Sequence, residues 1–240
     1  TFDTNETMLT KIMQGDARVD VICPSEYAIQ KLIESDMLVA LNYFDENEYA
    51  KGLNVNSDLY EHNSSNVDND IINKINEAFG EIRVEGKDDL QNMTDYIVPY
   101  MYGTLGILYN KYSFMEMNIY DYEIINKANW GILFNDDGEG NLLSDELTGS
   151  ILMKDSIRDS YAATVFYLLE SGKLDGKLAD DGRAYADMPA GELINAVDDT
   201  LIELCKKALI EQKKQLFGYE VDFGKDDLLK GNATVDLAWS

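Results

Sequence analysis

The sequence predicts an α/β fold, and three stretches predict it. The first is an apolar run, Val19 to Cys23, that passes through Pro24-Ser25 into a helical pattern over Tyr27 to Ser35 and then a second run, Leu38 to Leu41. The second is a strand-like run, Ser150 to Met153, that feeds a helical pattern over Asp155 to Ser171. The third is a late strand, Ala233 to Trp239, preceded by a short helix at Asp226 to Lys230 that Gly231 closes. Strands alternating with helices are the pattern of a sheet covered by helices.

Taken in order, the elements read as follows. Thr4 to Gln14 is a helix: Thr4 or Asn5 can cap it, and Met8, Leu9, Ile12 and Met13 form one apolar face. Gly15-Asp16 breaks it. Pro24-Ser25 opens the next helix, whose apolar positions are Ala28, Ile29, Leu32 and Ile33. Asn42 to Asn92 is rich in Asn, Asp, Ser and Gly and reads as a long surface excursion, with a helix at Ile71 to Phe79 and a hairpin around Val84-Glu85-Gly86. Two apolar runs, Ile97 to Tyr102 and Thr104 to Tyr109, are hinged by Gly103. A weak helix at Asp121 to Lys127 and a run at Trp130 to Leu133 follow. Asn135 to Asn141 is a turn cluster without the spacing or the closing Glu of a calcium loop. Pro189 to Gln215 reads as containing one long helix with Leu193, Ile194, Val197, Leu201, Ile202 and Leu204 on its apolar face. Phe217 to Val221 reads as extended.

Composition narrows the function. The 240 residues are 45% apolar, enough for one large domain or two smaller ones. Asp and Glu number 45 against 20 Lys and Arg, a net charge of −25. Nucleic acid and anionic membrane surfaces are repelled by such a field, whereas a cationic ligand is concentrated by it. The same charge also serves plain solubility. The one histidine, His62, lies inside a polar stretch, which makes a His-based triad or a multi-His metal site implausible. Cys23 and Cys205 lack metal-ligand spacing and are expected as free buried thiols, with a single disulfide as the alternative in an oxidising compartment. No apolar run has the length to span a bilayer. The first residues carry no signal-peptide pattern, which reads as either a cytoplasmic protein or one whose leader has been removed. Val235 to Trp239 reads as a strand cut at its last residues, which favours a trimmed chain.

No phosphate loop, dinucleotide fingerprint or zinc pattern is present, and no cofactor is expected. Paired acids abound, so a hydrolase using two carboxylates stays open as an alternative. Ser25-Glu26-Tyr27 follows a strand and opens a helix, where α/β sheets present ligand contacts. Its hydroxyls suit an ammonium group, though a capping role for Ser25 competes. Asp155 to Asp159 stands at an equivalent junction, with Ser156 or Asp155 as the cap and Asp159 near the positive end of the helix. Trp239 offers a ring face to an alkylammonium ion or, equally, to the core.

Four blocks carry a family resemblance: Val21-Ile22-Cys23-Pro24-Ser25-Glu26-Tyr27, then Pro99-Tyr100-Met101-Tyr102-Gly103-Thr104-Leu105-Gly106, then Asp155-Ser156-Ile157-Arg158-Asp159, and finally Ala238-Trp239-Ser240. Together they resemble the extracytoplasmic spermidine/putrescine-binding proteins of bacterial ABC importers. The resemblance implies a two-lobed periplasmic-binding-protein-like (type II) fold, mixed sheets flanked by helices, with the ligand trapped in a cleft. It places residues 1–101 in an incomplete first lobe with an insertion at about 43–92, and residues 102–240 in the second lobe up to its second crossover. It implies that Ser25 and Tyr27 are first-lobe ligand contacts, that Asp159 holds a terminal ammonium, that Ser156 replaces a second acid, and that Trp239 lines the cleft. Tyr102 stands where such proteins usually carry Trp. The implied function is capture of putrescine or spermidine, without catalysis, for a membrane permease, in the periplasm or anchored at the cell surface. Another small solute is the nearest alternative, and an acidic domain that binds a basic protein is a further one.

Overall fold

The computed structural model describes residues 2–41, 43, 66–120, 127–196 and 198–240. Two compact units divide the chain, Thr1–Tyr102 and Gly103–Ser240. Val197, the whole segment 44–65 with His62, and most of the expected helix at 121–127 lie outside the described residues.

In the first unit, α1 (Asn5–Met13) begins at Thr4, whose side chain accepts from the Thr7 amide as the sequence predicts. Helix α2 (Glu26–Glu34) packs Ala28 and Leu32 against Met8 and Leu9 of α1. Helix α3 (Asn69–Phe79) starts at a capping Asp68. The predicted hairpin is present as β1 (Ile82–Arg83) antiparallel to β2 (Leu90–Gln91), with Gly86 at φ 78° in its turn. Ile82, Val84, Met93 and Tyr96 close over Ile33 in a second small core.

Two runs expected as strands in this unit, Val19 to Cys23 and Leu38 to Leu41, are not strands, and like the apolar run Ile97 to Tyr102 they join no ladder among the described residues. The physical reason is that a strand needs a neighbour's backbone as well as its own apolar side chains. The consequence is exposure: Val21 is 87% exposed and Val39 84%.

The second unit holds a four-stranded sheet in the order β3-β6-β4-β5. Its strands are β3 (Leu105–Tyr109), β4 (Ile151–Lys154), β5 (Leu216–Glu220) and β6 (Val235–Trp239). β6 runs antiparallel to β3 and parallel to β4, and β4 runs parallel to β5. After β3 comes α4 (Lys111–Glu116), and after β4 comes α5 (Ile157–Glu170). Strand alternation sends Ile151, Met153, Val235 and Leu237 to one face. There they pack with Ala163, Val165 and Leu168 of α5 in the main core. The opposite face carries Leu152, covered by Leu228 of α8 (Gly224–Lys230) and by Ala233.

The single long helix expected within 189–215 is two helices, α6 (Ala190–Leu193) and α7 (Asp199–Gln212). Asp198 separates them. Its carboxylate caps α7 through the Leu201 amide, accepts from the Asp180 amide at 2.7 Å and accepts from the Tyr185 hydroxyl. A buried acid that takes three donors fixes a break that side-chain periodicity does not reveal.

Candidate functional site

Because β4 and β6 are parallel, with Ile151 opposite Val235 and Leu152 opposite Asp236, their carboxyl ends share one edge of the sheet. The chain leaves β4 at that edge through Asp155 and Ser156 and enters α5. Ser156 is the N-cap, its hydroxyl accepting from the Asp159 amide at 3.3 Å. The first turn of α5 therefore aims the Asp159 carboxylate along the same edge, near the positive end of the helix. Trp239 is the last residue of β6, and its indole Nε1 donates to Asp159 Oδ2 at 3.1 Å. A carboxylate has about four lone-pair positions, so the indole leaves Asp159 able to accept further donors. The Trp239 side is 43% exposed rather than sunk in the core.

β3 completes the edge. Leu105 lies opposite Trp239, the Thr104 amide donates to Ser240 Oγ at 3.0 Å, and the Ser240 amide donates to the Thr104 carbonyl at 3.0 Å. Gly103 lies against Ser240 closely enough that a Cβ there would stand 3.2 Å from its Oγ, which gives the hinge glycine a packing reason. Gly103-Thr104-Leu105, Asp155 to Asp159 and Ala238 to Ser240 thus meet at one place, although more than a hundred residues separate the first from the last.

In the first unit, Ser25 occupies the N-cap position of α2 but makes no side-chain cap bond, contrary to the capping role weighed from sequence. Its hydroxyl instead accepts from Asn5 Nδ2 at 2.9 Å, and its amide donates to Asn5 Oδ1 at 3.4 Å. The Tyr27 hydroxyl donates to Glu6 Oε1 at 2.9 Å. Asn5 and Glu6, from the start of α1, are thus companions of Ser25 and Tyr27. The sequence marked them only as the opening of a helix, because the α1–α2 packing that aligns the two helix starts is a tertiary fact.

In the turn cluster the carboxylates are engaged by the chain's own donors. Asp136 Oδ1 accepts from the Gly138 and Gly140 amides, and Oδ2 accepts from Tyr167 at 2.7 Å and Lys173 at 2.6 Å. Burial pushes this carboxyl up, but the Lys173, Tyr167 and Gly138 hydrogen bonds outweigh it and hold it below the usual range. Asp137 is likewise turned onto the Glu139 and Asn141 amides. Among the described residues no three His, Cys, Asp or Glu side chains group as metal ligands. Both cysteines are free, and Cys23 is exposed rather than buried as expected. Burial pushes the Cys205 thiol up to about 12. No described helix is long and apolar enough to cross a membrane.

No protein-family model matches the chain, and none of the curated proteins matches it. Solved structures do. A spermidine/putrescine ABC transporter substrate-binding protein from Streptococcus pneumoniae aligns at a TM-score of 0.51 and 21% identity, covering 100% of this chain and 53% of that one. A Listeria monocytogenes protein named provisionally as a spermidine/putrescine ABC transporter aligns at 0.57 and 22%, with the same coverage. This chain spans about half the length of both. Its α/β architecture, helices flanking an antiparallel and a mixed sheet, is the fold it shares with about half of each of these two proteins.

Proposed function

We propose that this chain serves as an extracytoplasmic solute-binding protein that captures a polyamine, putrescine or spermidine, for import through an ABC-type membrane permease. The observation that carries the proposal is the Asp159–Trp239 pair at the shared carboxyl edge of β4 and β6. In this reading Asp159 pairs a terminal ammonium, while the Trp239 indole orients the carboxylate and offers its face to the methylene chain. Ser25 and Tyr27 contribute contacts from the first unit, and the two compact units are the two lobes of the binding protein. The net charge of −25 concentrates the cation. The protein binds and releases without turnover.

The Ser156 hydroxyl is engaged in capping α5, where an acid would have offered a second ammonium partner. We therefore propose that the shorter diamine, putrescine, is preferred over spermidine. Isothermal titration of both into the intact protein tests each claim. Saturable binding that Asp159→Ala weakens about tenfold to a hundredfold supports the site, on the scale of a charged hydrogen bond. No heat from either polyamine in folded protein would redirect the search to other solutes. Spermidine binding as tightly as putrescine would end the length preference.

A further inference from the structure

The face of the sheet opposite the main core holds a charge imbalance. Asp236, on the central strand β6, is 1% exposed. Neither of its carboxylate oxygens has a hydrogen-bond partner among the described residues. Gly224, the first residue of α8, packs onto it so closely that a Cβ there would overlap the carboxyl group.

The charged groups around Asp236 come from three elements. Lys154 of β4 is committed elsewhere: its Nζ meets Glu220 Oε1 at 2.5 Å and the Val221 carbonyl at 2.5 Å. Glu220 of β5 is held by that lysine, and its Oε2 accepts from the Gly224 amide at 2.8 Å. Lys225 and Asp227 of α8 act at longer range and in opposite directions. On the other side β3 presents only Leu108 opposite Asp236. One buried cation therefore faces two buried acids, one of which it already pairs. The chamber is neutral only when Asp236 carries a proton.

We propose that Asp236 is a proton-controlled latch: protonated, it lets α8 close over the sheet, and its ionisation as pH rises drives α8 off the β6 and β4 surface. Burial first, and then the Glu220 charge, push this carboxyl up to about 7, against the pull of Lys154 and Lys225. In the opened state it would titrate near the ordinary value of about 4. Because the closed state holds the proton more tightly, closure is favoured at low pH. It weakens about tenfold per pH unit between about 4 and 7 and levels off above 7, as one-proton linkage requires. The latch does not depend on what Asp159 and Trp239 bind, but it acts on the strand that carries Trp239.

The test is NMR on the intact protein with labelled Asp side chains. The Asp236 carboxyl is expected to titrate with a midpoint near 7. The Leu228, Leu229 and Lys230 amides of α8, corrected for intrinsic exchange, are expected to lose about tenfold protection per pH unit from pH 5 to 7. Asp236→Asn, which mimics the protonated acid, should make that protection flat with pH. An Asp236 midpoint below 5 would overturn the latch. So would α8 exchange that ignores pH, or an Asn variant as pH-sensitive as the parent. The carboxyl midpoint decides alone if the variant does not fold.

Discussion

The two compact units received similar sequence material and used it differently. In Gly103–Ser240 the apolar run at 104–109, the extended stretch at 217–221 and the strands expected at 150–153 and 233–239 all found partners, and β6 is paired on both sides. In Thr1–Tyr102 three apolar runs of comparable composition found none among the described residues, and the unit rests on two small clusters built mainly by helices and a short hairpin. The difference teaches that an apolar run is only a candidate strand. A neighbouring backbone makes it one, and burial of its side chains follows from that pairing.

The largest effect that could break this comparison is a core truncation. Leu237→Ala, at a fully buried position of β6, is expected to destabilise the second unit by about 2–5 kcal/mol. Val21→Ala, at an 87% exposed position, is expected to stay within about 0.5 kcal/mol. Trp130 and Trp239, the only tryptophans, both lie in the second unit, so their fluorescence in a urea titration follows that unit, while circular dichroism follows both. Equal losses for the two variants would erase the contrast.

Next comes overpacking. Gly224→Ala should cost about 1–3 kcal/mol, because the added methyl meets the Asp236 carboxyl and the start of α8 must shift. A neutral result would mean that α8 is not seated as described.

A pH series sharpens the energetics of the second unit. The raised Asp236 carboxyl removes stability as pH climbs from about 4 to 7. The depressed Asp136 carboxyl works the other way: its contribution is complete above the unfolded value of about 4 and is lost as pH falls below it. Thermal melts should therefore give a maximum in the mildly acidic range, and Asp236→Asn should flatten only its neutral side. A melting temperature that climbs steadily to pH 8 would contradict the Asp236 assignment, and one unchanged from pH 5 down to pH 2 would contradict that of Asp136.

The smallest effect compares two serines, each at the N-cap position of a helix. Ser156 makes a side-chain cap bond and Ser25 does not. Ser156→Ala should cost about 1 kcal/mol, whereas Ser25→Ala should cost less than about 0.5 kcal/mol. Ser156→Asp keeps a capping oxygen and adds the missing acid, so it should raise spermidine affinity relative to putrescine. An unchanged ratio would argue that Ser156 lies outside the ligand's reach.

The helices were readable because their signals are local. Thr4 as a cap, the 3.6-residue apolar period of α1 and α2, and Gly231 in a left-handed stop after α8 each involve residues within a turn or two. The candidate site was readable as a set of names, since Ser156, Asp159 and Trp239 stand at helix starts and strand ends where α/β sheets expose side chains.

What the sequence by itself determined is therefore local: the α/β class, most helix positions, the turn around Gly86, the strand-to-helix junction at Asp155 and the acidic field. The parallel register of β6 on β4 decided that Trp239 meets Asp159. The packing of α1 on α2 decided that Asn5 and Glu6 engage Ser25 and Tyr27. Asp198, fastened from the Asp180 loop and from Tyr185, decided where one expected helix becomes two. The seating of α8 decided that Asp236 is buried against Gly224 with its nearest lysine already paired. Each is a contact between residues far apart in the chain, and no local period or propensity encodes which distant backbone will arrive beside a given side chain.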